Sequence, residues 1–444
     1  MGIRRLFPVL ALALVAGCGG GQPATLTPPP VLYEPPPAPS VTVKLDQEPV
    51  PTRRELAPSQ PLGAALTAEE VHAAWRREEL KKVRRSHTVA GALHLALLAH
   101  AINGRQRDSL LRDYTAARRS AARLSGLRRS ELSAVIASVD RLAATRQLSA
   151  GRLGPVFLLL RRNRQFWTRY AKLPAPSARI TFGSDPAIFQ YYPGRGMQLQ
   201  QLASWGRINA MLHNCQIGRR CPTGLLRYSL NKLVRQAAPR GGFLAWESYF
   251  PFGGSSSPWI SGMTQGTAVQ ALARGARVLH APRYLRVAER SLGAFQTPPP
   301  LGVAVPAPGG THYLMYSFAP GLRILNGDLQ AITGLRDLAA LGGSWRARRL
   351  YRRGDGAARR LVARYDTGAW SLYSLGGRES SLGYHKLVTE FLGNLCDRSG
   401  GHPYCAAHRR FAAYLRQPPR IHIARLVRLR MHRATTVRFT LSKV

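Results

Sequence analysis

The stretch SPWISGMTQGTAVQALARG, Ser257 to Gly275, sets one indole among small hydroxyls and amides directly ahead of an alanine-rich helical run. Trp259 offers a flat ring for stacking. Ser261 and the amides of the helix start offer donors to an anion, and Gln265, one turn in, reaches further. A parallel arrangement occurs in FAPGLRILNG, where Arg323 precedes Asn326 and Gly327, and Asn326 is expected as the N-cap of the next helix. Capping and loop packing are the plainer reading of these groups. A third group, Tyr191, Tyr192 and Arg195 in FQYYPGRG, puts two phenols and a cation on one turn. It suits ring stacking and carboxylate pairing; a Pro-Gly turn with a solvated arginine is the alternative.

The groups sit in a strongly basic chain of 444 residues with a formal charge of +42, and 57 of its 64 basic residues are arginine. Either codon bias or selection for polyanion binding produces such an excess. Residues 1–17 carry two arginines, a short apolar run and small residues ahead of Cys18, which is expected to be an export signal of the lipoprotein kind, with Cys18 acylated. An ordinary cleaved signal is the alternative. Removing Cys18 leaves Cys215, Cys221, Cys396 and Cys405, an even number, in CQIGRRC and CDRSGGHPYC. Disulfides between near neighbours are expected, and neither spacing suits zinc. An exported chain without a recognisable binding module makes nucleic acid an unsuitable partner; an acidic polysaccharide fits arginine's bidentate pairing with carboxylates.

The elements that must position these groups are mainly helices. Residues 18–60, rich in Gly and Pro, read as a tether. Residues 61–175 read as a helical N-terminal region, opened by a capping-box pattern at Thr67 and Glu70, with VAGALHLALLAHAI as a buried helix holding His94 and His100. Extended chain follows in ARITFGSDPAIFQYYPGRGMQLQ. Residues 176–418 are otherwise helix pairs joined by Gly, Pro and aromatic loops, which predicts an incomplete α/α toroid of antiparallel helices with loops lining a cleft. Alternation at Val437, Phe439 and Leu441 predicts a short β tail over 419–444.

Four segments, PWISGMTQGTAVQALARG, YSFAPGLRILNGDLQAITGLRDL, YDTGAWSLYSL and YHKLVTEFL, together and in this order resemble the C-terminal domain of the D-glucuronyl C5-epimerase family. The resemblance implies an incomplete α/α toroid and inversion of a glucuronate residue at C5, without a cofactor or a metal. It also implies that Tyr316, Tyr373 and Tyr384 are the catalytic phenols, with Tyr384 exchanging the C5 proton and the other two holding or protonating the intermediate. Nearby arginines are expected to lower the phenols' pKa. Trp259 would then meet a sugar face and Gln265 its hydroxyls.

Two departures bear on this. Met315 in HYLMYSFAP stands where the family has a glutamate implicated in proton transfer. Glu247 in WESYF, between Trp246 and Tyr249, or His385 is the candidate replacement. Glu247 either has a raised pKa in an apolar setting or pairs with an arginine. Second, the family's animal members carry β-structure where residues 67–172 read as helices. A non-catalytic glycan-binding lipoprotein and a polysaccharide lyase, which shares the C5 proton abstraction, are the alternative functions. The chain has no G-x-S-x-G elbow, no H-E-x-x-H pair and no phosphate loop.

Overall fold

The computed structural model describes residues 87–399, 402–423 and 439–443. The expected signal, Cys18, the tether and the Thr67 capping box lie outside the described residues. Those described form two compact units: 87–204 with 228–259, and 205–227 with 260–443. The extended segment thus groups with the helices before it.

In the first unit α1 (Val89–Leu98), α2 (Gly104–Arg123), α3 (Gly126–Ala144) and α4 (Ala150–Arg169) pack together. Asn103 opens α2 with a reciprocal capping box to Gln106, satisfying two backbone donors that would otherwise be orphaned. The core is built from Leu132, Val139, Phe157, Leu160 and Trp167. The apolar run predicted as one buried helix ends at Leu98, so His100 is exposed and beyond the helix rather than in the core.

Strands β1 (Arg179–Ile180), β2 (Phe189–Tyr192) and β3 (Gly196–Leu199) form an antiparallel sheet against α4. The sheet is anchored by Asn163, which accepts from Met197 N (2.8 Å) and donates to Met197 O (2.7 Å). Gly196 has φ +71°, and a Cβ there would lie 2.5 Å from Val135 Cγ2 and 2.7 Å from Asn163 Oδ1, so no other residue fits the turn. The short strands β4 (Ala238–Arg240) and β5 (Phe243–Ala245) pair in a hairpin, and β6 (Glu247–Ser248) follows. Helices α5 (Gln201–Gln216) and α6 (Thr223–Val234) each carry residues of both units.

After β7 (Trp259–Ile260), the second unit is built from helix pairs: α7 (Gly262–Val278) with α8 (Arg283–Ser291), α9 (Leu325–Leu341) with α10 (Trp345–Leu361), and α11 (Leu382–Ser399) with α12 (His402–Tyr414). Short connections make each pair antiparallel. Between pairs the register is parallel. Gly266 of α7 meets Ala331 of α9, and further along Gln270 and Arg274 meet Asp337. Arg398 at the end of α11 reaches the same Asp337.

Helices α7, α9 and α11 are therefore parallel inner helices, each returned by an outer one, which is the arrangement of an open α/α toroid. Their close approach depends on glycine: a Cβ on Gly266 would lie 2.6 Å from Ala331 Cα. The hairpin β8 (Ala304–Ala307) with β9 (Gly310–Tyr313) sits between the first and second pairs. As predicted, the tail ends in strands: β10 (Ile421–Ile423) pairs antiparallel with β11 (Phe439–Leu441). Both near-neighbour disulfides are present, Cys215–Cys221 and Cys396–Cys405. No helix among the described residues is long and apolar enough to cross a membrane.

Candidate active site

Parallel inner helices bring their N-termini to one end of the toroid, and the three phenols gather there. Tyr316 comes from the loop before α9, Tyr373 from the loop before α11, and Tyr384 is the third residue of α11. The loops are tied together by backbone: Leu375 N donates to Arg323 O (2.9 Å), and Ile324 bridges Ser374. The rings of Tyr373 and Tyr384 lie 4.8 Å apart, and the Tyr373 hydroxyl is within hydrogen-bond reach of both Tyr316 and Tyr384. All three are half-buried. Residues 68 positions apart at the extremes of this trio, Tyr316 and Tyr384, thus share one site, with Tyr316 stacked on Phe318 at 5.3 Å.

An arginine effect is not what sets the Tyr373 hydroxyl. Burial, followed by the neighbouring Tyr316 and Tyr384, pushes the Tyr373 hydroxyl well above the ordinary tyrosine range. Tyr373 stays protonated and can give a proton or a hydrogen bond; it is a poor base. Tyr384 stands in the first turn of α11.

Arg323 stands on the loop tied to that of Tyr373. Its Nη1 is buried without a hydrogen-bond partner, and burial lowers its pKa against the opposing pull of Tyr365 and Asp328. Nearby in the chain, Asn326 is buried with Nδ2 unpartnered. Asn326 is not the expected N-cap: Ile324 holds that position, and Asn326 is the second residue inside α9. An unpartnered amide and guanidinium beside a helix start make an anion-accepting group, because each buried donor gains a full hydrogen bond when a carboxylate arrives.

Ser261 caps α7, accepting from Thr264 N at 3.3 Å, and its hydroxyl lies 3.5 Å from Met315 Sδ. Met315 is buried against Gly327, where an added Cβ would be 3.1 Å from its Cε. The thioether therefore fills the gap between the starts of α7 and α9. Gln265 is fully buried in the wall of α7 rather than presented to a ligand.

His385, the other candidate replacement for the family's glutamate, is fully buried with both ring nitrogens engaged. Its Nε2 faces the Phe411 carbonyl at 3.0 Å, which can only accept, so Nε2 carries the proton and Nδ1 accepts from Ser371 Oγ at 2.8 Å. The ring stacks on Trp370 at 3.6 Å and burial lowers its pKa. The Lys443 ammonium lies over the Trp370 ring at 5.2 Å. His385 thus holds the base of α11 beneath Tyr384 and does not act on a ligand.

Five expected residues belong to the first unit. Glu247 is fully buried and gripped by two guanidiniums: Arg152 Nε to Oε2 at 2.7 Å and Nη2 to Oε1 at 3.1 Å, and Arg240 Nη1 to Oε1 at 2.8 Å. Burial alone would raise its pKa, yet the two cations hold it below the ordinary carboxylate value. A carboxylate so held is a brace and not a proton donor: of the two readings for Glu247, pairing with arginine is the one found, and it is not a catalytic residue.

Tyr191 is also structural. Its hydroxyl donates to Glu131 Oε1 (2.8 Å), whose carboxylate also accepts from Gly194 N and Gly196 N, and burial then Glu131 raise the phenol's pKa. Trp259 is buried rather than open, donating from Nε1 to Phe250 O (2.8 Å) and stacked on Phe252 at 5.8 Å. Tyr192 leans on Phe250 at 4.9 Å, and exposed Arg195 donates to Pro251 O. The half-exposed rings of this group are Tyr192 and Phe252, the second not among the expected site residues. The density of aromatics in YFPFGG was the available signal.

Comparison with known proteins places these observations. Residues 241–412 match the family described as D-glucuronyl C5-epimerase C-terminus. Over 130 residues the chain is 30% identical to the D-glucuronyl C5-epimerase of Caenorhabditis elegans, covering 26% of this chain and 21% of that protein. The chain thus spans about a fifth of the length of that curated relative. Among solved structures, the cellobiose 2-epimerase from Spirochaeta thermophila DSM 6192 shares 15% identity and a TM-score of 0.38, over 60% of this chain and 69% of that one. The resemblance carried by the four motifs is therefore borne out: over residues 241–412 this chain is similar to the C-terminal part of the D-glucuronyl C5-epimerases.

Proposed function

We propose that the protein is a polysaccharide uronate C5-epimerase, exported and held at a membrane surface by an acylated Cys18. The observation that carries the activity is the meeting of Tyr316, Tyr373 and Tyr384 at the N-terminal ends of parallel inner helices, beside the unpartnered donors of Arg323 and Asn326. A carbon acid next to a carboxylate becomes labile when that carboxylate's charge is matched and a base and an acid flank the carbon. Arg323, Asn326 and the start of α9 supply the charge match. Tyr384 as phenolate takes the C5 proton, and Tyr373, kept protonated, together with Tyr316 hydrogen-bonded to it, holds or protonates the intermediate. Two disulfides favour an oxidising compartment for the chain.

The test is proton NMR of heparosan incubated with the protein in heavy water. Deuterium entry at C5 without chain cleavage is the expected result, and Tyr384→Phe abolishes it. Accumulation of an unsaturated, ultraviolet-absorbing product instead identifies a lyase. Binding of the polymer with no exchange identifies a glycan-binding protein that has lost the chemistry with the family's glutamate.

A further inference from the structure

The outer helix α10 buries Ala347, Leu350, Gly354, Ala357, Ala358 and Leu361. At about 100° per residue, Trp345 falls at the centre of the opposite side. Trp345 is 69% exposed, the most exposed large apolar side chain among the described residues. On its flanks Arg348, Arg349, Arg352, Arg353 and Arg360 are all exposed. The helix has one acid, Asp355, and it is already held by Arg359 (2.6 Å) and by the Tyr404 hydroxyl (2.8 Å). Among the described residues no carboxylate pairs with those five arginines.

Such a face is unfavourable for the isolated protein. Arg348 with Arg352, and Arg349 with Arg353, are like charges one turn apart, and they repel. An indole left in water beside them gains nothing from folding. Both features become favourable together when a polyanion with flat apolar ring faces lies along the helix. A membrane surface fits less well, because interfacial helices insert a stripe of apolar residues and this face has one, ringed by guanidiniums.

Resting on the acidic-glycan reading above, we propose that the exposed face of α10 is a docking ridge for an acidic polysaccharide outside the phenol site. One sugar ring stacks on Trp345, and successive carboxylates pair with Arg349, Arg352, Arg353 and Arg360, so that Trp345 to Arg360 spans about 22 Å of helix. The ridge holds the polymer while the reacting residue is exchanged elsewhere on the toroid.

The experiment compares the full chain with Trp345→Ala and with a charge-reversed variant, Arg349→Glu/Arg352→Glu/Arg353→Glu. A control reverses Arg283, Arg286 and Arg290, exposed on α8. Affinity for end-immobilised heparosan is read at low and at physiological salt, C5 exchange is read on a short oligosaccharide, and sedimentation is read with vesicles containing anionic lipid. The proposal expects the reversed α10 to lose about tenfold or more in polymer affinity with a shallower salt dependence. Trp345→Ala weakens binding at both salts, and exchange on the oligosaccharide is unchanged. Equal losses in the α8 control mean that only net charge matters and overturn it, as does a variant that loses vesicles but keeps the polymer. If no protein exchanges C5 deuterium yet polymer binding still depends on α10, the epimerase reading fails and the ridge stands.

Discussion

Replacing Glu247 by Gln separates a brace from a catalyst. The wild-type carboxylate makes three charge-assisted bonds to Arg152 and Arg240, whose side chains are 4% and 7% exposed, while Glu247 itself is inaccessible. Glutamine keeps the shape but leaves two buried guanidiniums without a counter-charge and turns an amide donor toward one of them. Removing one partner of a buried pair costs about 3–5 kcal/mol, and two stranded cations argue for the upper part of that range.

Urea unfolding followed by tryptophan fluorescence is a suitable assay. Trp246 is the neighbouring residue, buried, with Nε1 bonded to Leu233 O at 2.8 Å, so it reports on this site. The folded pKa of Glu247 lies below its ordinary 4.5, so its contribution is fully present above that value and is lost as pH falls through the folded value. Wild-type stability should therefore decline below pH 4.5, and the Gln variant should lack that part of the decline. Folded Gln variant should exchange C5 deuterium within about threefold of wild type. A stability loss under about 1 kcal/mol, or a collapse of exchange in a protein that is fully folded, would refute the bracing argument.

Other expectations follow from the same geometry. Gly334→Ala pushes a Cβ into the Gly266 carbonyl across the α7–α9 crossing and should cost about 1–3 kcal/mol in a thermal melt; an unchanged melt contradicts the close parallel approach. Met315→Glu places a carboxylate beside the Ser261 hydroxyl and the start of α9, and should raise C5 exchange by about tenfold or more. An unchanged rate removes that position from proton transfer. Tyr373→Phe should abolish proton return while leaving the melt within about 1 kcal/mol, and in wild type no loss of activity assignable to Tyr373 should appear as pH rises through the ordinary tyrosine range, because this hydroxyl titrates above it.

Helical period, motif order and cysteine spacing are local properties, and they were legible in the chain itself. They located most of the helices, the strands at Phe439 and Leu441 and both disulfides, and the motif resemblance pointed to the three tyrosines that meet; the helix His402–Tyr414 was not legible. Residue type could not reveal who stands beside whom. Glu247 and Arg152 are 95 positions apart, and Tyr191 and Glu131 are 60 apart, so both pairs were invisible until the chain closed on itself. The same holds for His385, which looked available and is instead clamped between Phe411 O and Ser371. Burial and partner charge set the protonation of each ionisable group, and both are created by packing. Tertiary structure therefore decided which of the chain's reactive residues are free to react and which serve as braces.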